Sequence, residues 1–585
     1  MPEQLTNSQI AAAFDELADL YELDGAIVHR VVAYRTAART VREAPLSVAA
    51  LAAEGRATEL SGIGGTLQDK IRTLTETGEI PSAQKLRAKF PAGLIEMTRN
   101  VPGLGPKRAR VLYEELGLDS VDALREAAVE RRIRTLRGFG AKAEENILAA
   151  LASMTDGEVG TRTLLHRALA MGDAIVDALR AHPAAERVEL AGSARRMSDS
   201  VKDLDVIATA KDPRALAQAL TELDVIESAG SAGEAGVRAR THTAMPVDMR
   251  VVEPDQFGNL LQHFTGSKEH NMRLREAAVR KGLHVSEYGI KDDATGETHR
   301  CATEEEVYAL LGYDYIPPEL REGRGELDAA REGGPGLPRL ITADDIRGEL
   351  HSHTTASDGR ASIETMARAA AERGLEYLAI TDHSASHGFG DDVQPDELRR
   401  QVERIRVLNG ELEEIELLAG TEVNIFPDGT LDYDDALLGE LDWVVASVHT
   451  SFQISERAMT ERLVSAIEHP LVDVIGHPTG RKIELRPPYP VDMERVIEAA
   501  ARTGTMLEIN ASPDRRDLND VHARAAAEAG VGILVNCDAH SVGNFGLLRW
   551  GIATARRAWL TADQVANTLP WAEFEPLRKR TRTAS

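Results

Sequence analysis

Histidine and carboxylate side chains recur through residues 346–585 at intervals that could bring them together around metal ions. Most of them follow a run of β-forming residues, as His449 follows residues 444–448 and His477 follows residues 474–475. The runs repeat about every 30 residues, as alternating strands and helices do, and such barrels gather their functional side chains at the C-terminal strand ends. We therefore expect strand ends near residues 353, 383, 422, 449, 477, 510 and 540. The candidate side chains near these ends are His351, His353, Asp358, Asp382, His383, Glu422, His449, His477, Asp538 and His540.

The number and types of these side chains indicate a site for more than one metal ion. Up to about nine nitrogen and oxygen ligands are too many for one four-coordinate zinc ion, but they suit two or three ions that share bridging carboxylates. An isolated histidine in such a barrel is more often an ordinary core or surface residue. Here the His-x-His pair at 351–353 and the Asp-x-His pair at 538–540 each place two side chains on one strand face, which favours the metal site.

These residues resemble the PHP (polymerase and histidinol phosphatase) domain, and the resemblance covers residues 346–585. It implies a distorted seven-stranded α/β barrel with a centre of two to three metal ions, and hydrolysis of phosphoesters by a metal-activated water. The metal, Mn²⁺, Zn²⁺ or Fe²⁺, stays open because histidine and carboxylate ligands accept all three. The ligands that the resemblance implies are His351, His353, Asp358, His383, Glu422, His449, His477, Asp538 and His540.

A second group of carboxylates, Asp203, Asp205 and Asp248, lies in the middle of the chain. Asp203 and Asp205 begin a strand-like run, and alternation along a strand turns both side chains to one face. Asp248 lies in another strand-like run and supplies a third carboxylate from a neighbouring strand. Three such carboxylates suit two Mg²⁺ or Mn²⁺ ions that also bind substrate phosphates. An Asp-x-Asp pattern alone usually marks two exposed surface residues, so the neighbouring motifs decide whether it is a metal site.

That context resembles the family X DNA polymerases. Gly192-Ser193 precedes the Asp-x-Asp pair, and Asp248-Met249-Arg250 and then Phe264-Thr265-Gly266-Ser267 follow it, in the order found in that family. The resemblance spans residues 1–316 and implies in-line nucleotidyl transfer with two ions on the three aspartates, Asp248 also activating the primer 3′-hydroxyl. It further implies nucleotide contacts from Gly192, Ser193, Arg196, His263, Phe264, Gly266 and Asn271, and a template-strand contact from Arg273.

Two positions depart from the family pattern. A Tyr-Phe pair that discriminates against ribonucleotides often stands before Thr-Gly-Ser, whereas this chain has His263-Phe264. Whether the enzyme discriminates between deoxyribonucleotides and ribonucleotides is therefore open, and His263 could make that discrimination less strict. The segment 267–271 is also shorter than in DNA polymerase beta, and this difference affects the nucleotide contact that the resemblance implies for Asn271.

Three glycine turns in the first 150 residues, at 61–64, 102–105 and 137–140, each precede a helical pattern. Glycines at a helix N-terminus let backbone N–H groups approach a phosphate, and the helix dipole favours the anion. One such turn alone is as often a simple connection between helices. Three of them resemble helix-hairpin-helix motifs, which hold a DNA backbone without reading its sequence. The DNA contacts predicted here are Gly62, Gly64, Gly103, Gly105, Lys107, Gly138 and Gly140.

Lys70 lies where the family's 5′-deoxyribose-phosphate lyase has its Schiff-base lysine. Such an amine needs a pKa lowered by basic neighbours. Two of the helper lysines expected nearby are replaced here by Arg30 and Thr66. A lyase lysine and an ordinary exposed helix lysine therefore both remain open.

Composition bounds the class of protein. The 585 residues, 43% hydrophobic and 28% charged, are typical of a soluble chain of several domains without a membrane span. The net charge of −26 argues against a nucleic-acid partner, but residues 1–150 are nearly balanced, so this objection is weak. Cys301 and Cys537 are too few and too far apart for a disulfide framework, and Cys537 is read as a buried strand thiol rather than a ligand. We expect a cytoplasmic, nucleoid-associated monomer.

The expected fold class is multidomain: an all-α helix-hairpin-helix region, an α+β nucleotidyltransferase palm and thumb, and the PHP barrel. The expected boundaries are 1–90 for an 8-kDa-like lyase-type domain, 91–155 for helix-hairpin-helix fingers, 156–255 for the palm and 256–316 for the thumb. Residues 317–345 are expected to be a linker, and residues 346–585 the barrel. The Pro, Gly and charge content of the linker suggests that it lets a DNA end move between two sites.

Together the two halves resemble PolX enzymes, in which a family X polymerase is fused to a PHP domain. The expected function is DNA repair: filling short gaps in gapped or primer-template DNA with dNTPs, and a Mn²⁺-dependent 3′→5′ exonuclease that could also cut abasic sites. One alternative is that the PHP half hydrolyses a small phosphomonoester. Another is that the polymerase half is an inactive scaffold that binds DNA ends.

Overall fold

The computed structural model of the protein describes residues 5–101, 104–136, 138–140, 143–145, 147, 148, 151, 162–386 and 392–579. The chain divides into two compact units. The first contains residues 1–161, 171–189 and 202–252, and the second contains residues 162–170, 190–201 and 253–585. None of the helices in the described ranges combines the length and the apolar character that crossing a membrane requires.

The N-terminal part of the first unit is helical, as its glycine-punctuated amphipathic patterns predict. The first helix begins after Thr6, whose hydroxyl accepts the N–H of Gln9 while the Gln9 side chain accepts the N–H of Thr6. Its inner face packs Phe14 against Tyr34 of the second helix, in one core shared by the whole region. The helices are α1 (Asn7–Leu23), α2 (Val28–Glu43), α3 (Val48–Ala53), α4 (Gly65–Thr77), α5 (Pro81–Arg87), α6 (Ala92–Asn100), α7 (Pro106–Leu116) and α8 (Val121–Val129).

The first unit also contains a five-stranded sheet in the order β2-β4-β7-β6-β5, in the part of the chain expected to form the palm. Strands β4 and β7 are parallel, whereas β6 is antiparallel to β7 and β5. Alternate residues of β7 are buried, so one face of this strand lies on the core. The elements of residues 162–252 are β1 (Thr163–Leu164), α9 (Leu165–Arg180), β2 (Ala185–Leu190), α10 (Gly192–Arg195), β3 (Ser200–Val201), β4 (Leu204–Ala210), α11 (Pro213–Thr221), β5 (Ile226–Ala229), β6 (Gly236–Thr241) and β7 (Pro246–Val251).

The second unit begins with a thumb-like region. Helices and a three-stranded antiparallel sheet, β10-β9-β8, enclose a small core in which Tyr308 is fully buried beside Leu274 and Ile290. The elements are α12 (Phe257–Thr265), α13 (Lys268–Val279), β8 (Leu283–Ser286), β9 (Gly289–Asp292), β10 (Thr298–His299) and α14 (Glu304–Leu310).

Residues 317–345 are not the loose connection that their Pro, Gly and charge content predicts. Arg321 is 0% exposed, donates from Nε to the Ile316 carbonyl (2.8 Å) and forms an ion pair with Glu304 (2.5 Å). A short helix, α15 (Glu326–Ala330), follows, and the N–H of Ile341 reaches the Leu560 carbonyl (3.0 Å). The prediction of a freely moving linker is therefore wrong, because buried polar contacts fix the segment within the second unit.

Seven parallel strands, hydrogen-bonded in chain order, form the barrel. Ser352 bridges Ala539 in parallel, so chain segments just beyond the first and last strands bring the barrel almost to closure. The distorted seven-stranded barrel expected from the PHP resemblance is confirmed. The strands are β11 (Gly348–Glu349), β12 (Tyr377–Ile380), β13 (Glu416–Asn424), β14 (Trp443–Ser447), β15 (Val474–Ile475), β16 (Met506–Asn510) and β17 (Ile533–Asn536).

Helices cover the outside of the barrel, and a second apolar cluster, which includes Trp443 and Phe574, fills its inside. The amphipathic helices turn their apolar faces to the strands, so the outer core is continuous around the sheet. The helices are α16 (Ile363–Ala371), α17 (Pro395–Asn409), α18 (Asp435–Gly439), α19 (Glu456–Glu468), α20 (Met493–Thr503), α21 (Asp520–Glu528), α22 (Leu548–Arg557) and α23 (Trp571–Phe574).

Candidate metal centre and polymerase carboxylates

The C-terminal ends of the barrel strands carry the predicted ligands. Glu422 lies within β13, and the other ligands follow the ends of β11, β12, β14, β15 and β17. His477 and Asp538 have φ angles of 30° and 53°, a region that side chains with a Cβ rarely occupy. The sharp backbone turn at these two positions directs their side chains into the site, which is the kind of strain that functional sites hold.

The Glu422 carboxylate is the centre of the site. It is 1% exposed, and its two oxygens are shared among histidines from several strand ends. The ring nitrogens near it belong to His383 (2.9 Å), His477 (3.0 Å), His449 (3.1 Å), His351 (3.4 Å) and His353 (3.6 Å). One carboxylate that reaches five imidazoles has the arrangement of a ligand that bridges metal ions.

A second carboxylate, Asp358, lies on the outer side of this centre. It is 3.2 Å from His540 Nε2 and 3.6 Å from His383 Nε2, and the rings of His353 and His540 stack 4.2 Å apart. Asp358 comes from the loop after β11 and is half-exposed, so this part of the site is open to solvent.

Three sets of ligand atoms within the described residues are compact enough to hold metal ions, since the atoms of each lie within 4.8 Å of one another. Buried atoms of two ligands, His351 Nε2 and Asp538 Oδ1, have no hydrogen-bond partner among these residues and lie 3.6 Å apart. Such atoms are costly unless a cation fills the space between them, so the residues fit a metal centre. The sets are His353, Asp358, His383 and His540; His351, His353 and Asp538; and His383, Glu422 and His449.

The charges of the centre are tightly coupled. Burial raises the pKa of Glu422 and Asp538, but the surrounding histidines outweigh it and hold both pKa values well below their usual range. Burial, helped by His383, lowers the pKa of His353 to about 4, which keeps this imidazole neutral and free to bind a metal. Ionised carboxylates and a neutral His353 suit metal binding, whereas the nearby carboxylates raise the pKa of His351, His383 and His540, whose protons a metal ion would displace.

Glu508 is a functional candidate that the sequence reasoning missed. Its Oε1 accepts a hydrogen bond from His351 Nδ1 (2.7 Å), and its Oε2 accepts the backbone N–H of His477 (2.7 Å). A carboxylate behind a ligating imidazole fixes the orientation of the ring and raises its basicity. The strand end predicted near residue 510 had no ligand, which was the one signal for this position. Cys537 is buried and lies outside the three sets, as expected.

Asp382 shapes the loop that carries Asp358. Its carboxylate accepts the N–H and hydroxyl of Thr354 (2.7 Å each), the hydroxyl of Ser357 (2.5 Å) and the Gln401 amide (2.6 Å). With these four bonds, Asp382 is a positioning residue rather than a ligand, in agreement with the ligand set that the resemblance implies.

The structure brings two of the three polymerase carboxylates side by side in the first unit. Asp205 and Asp248 are direct partners in the parallel pairing of β4 and β7, and Asp203 stands exposed just before β4. Asp248 is held by Arg250 Nε (2.9 Å) and Arg238 Nε (3.3 Å). These guanidinium groups supply positive charge beside the carboxylate, which is what a divalent ion would also supply. The role of the three aspartates as metal ligands stays a prediction.

In the second unit, the glycine-serine segment opens the short helix α10, with Gly192 at a φ of 66°. Arg196 donates to the Thr265 carbonyl (2.6 Å) and pairs with Glu322 (3.0 Å). Gly266, also at positive φ, lets the Arg196 guanidinium come close, because a Cβ would lie 3.2 Å from Arg196 Nη1. The segment around Ser193 and the turn around Gly266 are therefore in contact.

The remaining nucleotide candidates lie at the turn between α12 and α13. Asn271 donates to the His263 carbonyl (2.7 Å) and accepts from the Gln262 amide (2.9 Å), so its side chain stabilises the turn. His263 pairs its ring with Phe264 (5.6 Å between centroids), and burial lowers its pKa. Arg273 is half-exposed and pairs with Glu269 (2.8 Å).

The glycine turns lie at helix N-termini where they are described. Gly64 precedes α4 and Gly105 precedes α7, and Gly62 and Gly138 have φ angles of 86° and 90°. Lys107 is exposed in the first turn of α7, and Gly140 is also exposed. Gly103 lies outside the described residues.

Lys70 lies on α4, where its amine donates to the Ser82 hydroxyl (3.2 Å). Arg30 lies instead over the Tyr21 ring, 5.3 Å from its centroid. The lyase role of Lys70 therefore stays a prediction.

The fold and the two carboxylate groups define a two-part protein, a family X polymerase-type region followed by a PHP barrel. Family models agree: residues 5–80 match a helix-hairpin-helix domain, residues 95–153 a SAM-like helix-hairpin-helix tandem, residues 260–322 a DNA polymerase beta thumb and residues 349–512 a PHP domain. The chain is 36% identical to the DNA polymerase/3′-5′ exonuclease PolX of Bacillus subtilis (strain 168), over 98% of this chain and 99% of that protein. The chain belongs to the PolX family.

Shorter relatives match the barrel alone. A protein named "Probable phosphatase" from Thermoanaerobacter sp. (strain X514) is 34% identical over 38% of this chain and 89% of its own length. Another of that name, from Shewanella loihica (strain ATCC BAA-1088 / PV-4), is 32% identical over 40% of this chain and 93% of its own length. The polymerase and hydrolase parts of this family together imply dependence on divalent metal ions.

Proposed function

We propose that this chain is a DNA repair enzyme that fills short gaps and removes nucleotides from 3′ ends with a second active centre. The observation that carries the proposal is the pairing of Asp205 with Asp248 in one unit and the Glu422-centred ligand set in the other. The near full-length similarity to a DNA polymerase/3′-5′ exonuclease supports both halves. Its substrates are DNA, gapped or primer-template, and dNTPs.

For the polymerase reaction, we assign Asp203, Asp205 and Asp248 to two divalent ions, Mg²⁺ or Mn²⁺. Such ions clamp the triphosphate and neutralise charge that develops during in-line transfer. Asp248 is also assigned to accept the proton of the primer 3′-hydroxyl, and Arg238 and Arg250 lie beside its carboxylate. Ser193 and Arg196 are assigned to the incoming triphosphate on the likeness of their motif.

For the nuclease reaction, the nine histidine and carboxylate ligands of the barrel are assigned to two or three ions, with Mn²⁺ as the first choice. Ions bound by such residues lower the pKa of a bound water and clamp a phosphodiester. Glu508 holds His351 in the tautomer that presents Nε2 to the centre. The solvent-open side at Asp358 leaves room for a DNA 3′ end, and cleavage at abasic sites is a further activity of the same centre.

A second candidate for the barrel is hydrolysis of a small phosphomonoester. The similarity of the barrel to proteins named as phosphatases favours it. The two candidates share the ligands and differ in the substrate that the rim of the site accepts, so only substrate comparison separates them.

The test uses a 5′-labelled primer on DNA with a one-nucleotide gap, incubated with Mn²⁺ with and without dNTPs. We expect Asp203→Ala/Asp205→Ala to lose extension and keep shortening, and His351→Ala/His353→Ala to do the reverse. Matched controls are Asp177→Ala and His284→Ala, whose side chains are 76% and 54% exposed. If wild type never shortens the primer but releases phosphate from small esters, the phosphomonoester function replaces the nuclease. If wild type never extends it, the polymerase half is a DNA-binding scaffold.

A further inference from the structure

Three loops at the rim of the metal centre bring an aromatic stack and two arginines together. The loops follow β14, β15 and β16, and they carry Phe452, Arg486 and Arg515 respectively. Because the C-terminal ends of parallel strands meet at one end of a barrel, these loops border the ligands. Phe452 comes three residues after His449.

Hydrogen bonds tie this rim directly to a ligand. The N–H of Gly480 donates to the carbonyl of His477 (3.0 Å), and the Gly480 carbonyl accepts from Arg486 Nε (2.9 Å). The loop is fastened again where the Tyr489 hydroxyl donates to the Pro478 carbonyl (2.6 Å). Two successive hydrogen bonds through Gly480 therefore link the Arg486 guanidinium to the backbone of the predicted ligand His477.

The aromatic side chains fix the plane on which Arg486 rests. Its guanidinium carbon lies 4.2 Å from the Phe452 ring centroid, and Phe452 stacks on Tyr489 at 6.2 Å with an angle of 16° between the rings. A cation held against an aromatic face keeps its outer N–H donors oriented, so less freedom is lost when an anion binds.

Arg486 and Arg515 place two positive charges at this rim. Among the described residues no carboxylate forms an ion pair with Arg486 or Arg515, since the nearby Asp514 pairs with Lys482 (2.7 Å). The loops of the two arginines are joined where the N–H of Ile483 meets the Asp514 carbonyl (2.7 Å). Burial and the charge of Arg515 lower the pKa of Arg486, and Asp514 and Asp517 offset only part of this effect, so the two cations still repel each other. An anion between them would relieve that repulsion.

We propose that Arg486 and Arg515 form a phosphate-binding site at the rim of the barrel, which holds the phosphodiester backbone of a DNA strand whose 3′ end lies at the metal ligands. The proposal rests on the nuclease function proposed above. Two guanidinium forks suit a phosphodiester better than lysine amines do, because each offers paired donors to phosphate oxygens. A mononucleotide ester, with only its reacting phosphate, would not extend to the rim.

The test compares two substrates of the full-length protein with Mn²⁺: a 5′-labelled single-stranded oligonucleotide and the p-nitrophenyl ester of thymidine 5′-monophosphate. We expect Arg486→Gln and Arg515→Gln each to raise KM for the oligonucleotide about tenfold, the loss of one charge-assisted hydrogen bond, with little change in kcat. The KM for the ester should not change. Arg486→Lys should restore part of the loss, and Arg457→Gln, on an 84% exposed side chain, is the matched control. Equal KM values for wild type and the double variant on the oligonucleotide would overturn the proposal.

A second readout does not depend on catalysis. An oligonucleotide with 4-thiothymidine beside its 3′ end is cross-linked by light to the protein in EDTA, and the labelled peptides are mapped. We expect cross-links in residues 450–455, 478–490 or 511–517 that disappear in the double variant, and cross-links confined to other peptides would contradict the site. If wild type hydrolyses the ester but not the oligonucleotide, the nuclease function fails. The cross-linking result alone then tests whether the rim binds a DNA strand.

Discussion

At the scale of single residues, the barrel depends on one carboxylate. Among the described ligands, only Glu422 contacts five histidines, and it lies within β13 rather than in a loop after a strand. The backbone of β13 is fixed by pairing on both sides. A rigid backbone under the bridging ligand keeps the distances between bound ions constant, which flexible loop ligands could not do.

Glu422→Gln keeps the size of the side chain and removes the negative charge between the histidines. We expect the metal affinity of the barrel to fall by at least about 100-fold, more than the loss of a supporting residue costs. Metal content after dialysis, measured by elemental analysis, should fall together with shortening of a 3′ end, while gap filling persists. Glu440→Gln, on a 46% exposed side chain, is the control. Unchanged metal content in Glu422→Gln would show that this carboxylate is not a ligand.

The candidate ligands were predictable from the sequence because histidines and carboxylates after β-forming runs leave a spacing that can be read. Glu508 was not, since its role lies in hydrogen bonds to His351 Nδ1 and the His477 N–H, and any acidic residue on a strand gives the same sequence pattern. The contact between Arg196 and Glu322 could not be predicted either, because a single ion pair between distant residues leaves no sequence pattern. Sequence spacing reports which strand end a residue occupies, but not which side chain lies behind a ligand.

At the scale of elements, the position of Asp248 depends on how β6 pairs with β7. Gly236 begins β6 opposite Arg250 with a φ of 118°, and a Cβ there would lie 1.9 Å from the Met249 carbonyl oxygen. Backbone cannot move aside as a side chain can, so only glycine allows this approach. The pairing in turn sets Asp248 opposite Arg238.

Gly236→Ala should therefore separate the start of β6 from β7 and displace Asp248. We expect about 3 kcal/mol of lost stability in the first unit, from the clash and the unfavourable φ together. Gap filling should fall at least tenfold while 3′-end shortening is retained. Gly230→Ala is the control, because its Cβ would meet only the Arg238 carbonyl at 3.6 Å, an ordinary contact. Equal gap filling by the two variants would mean that this pairing does not position Asp248.

The strands of the palm and barrel were predictable because runs of Val, Ile and Leu mark buried strands. The segment 317–345 was predicted wrongly for an instructive reason. Its prolines and glycines do exclude long regular elements, and the structure has only short helical turns there. Composition does not show burial, however, and Leu320 and Arg321 are almost completely buried. The expectation of irregular backbone was correct, but an irregular backbone does not have to be a mobile one.

At the scale of the molecule, the second unit is assembled from segments that are distant in sequence. Asp199 pairs with Arg481 (2.7 Å) and Arg516 (3.3 Å), and Arg557 pairs with Glu322 (2.8 Å). The Gly192–Arg195 segment therefore belongs to the same compact unit as the barrel, although the chain places it between strands of the palm. No periodicity could reveal this, since isolated charged residues so far apart carry no spacing signal.

The stability of this unit should depend on pH through another such contact. Glu304 is 4% exposed and lies between Arg321 (2.5 Å) and Arg195 (2.7 Å). Burial opposes its ionisation, but the two arginines outweigh burial and lower the pKa of Glu304 from 4.5 to about 2. A carboxyl whose pKa is lowered on folding stabilises the protein above its unfolded pKa. That stabilisation, about 3 kcal/mol, is lost as the pH falls from about 4.5 to about 2.

Glu304→Gln should remove this pH dependence and also lower stability at neutral pH, because Arg321 is then buried without its partner. All four tryptophans, Trp443, Trp550, Trp559 and Trp571, lie in the second unit, so urea unfolding followed by tryptophan fluorescence reports on that unit. We expect the difference in unfolding free energy between wild type and Glu304→Gln to shrink as the pH is lowered from 5 toward 2. Glu305→Gln, exposed on the same helix, should follow wild type throughout. A difference that stays constant over this range would mean that folding does not lower the pKa of Glu304.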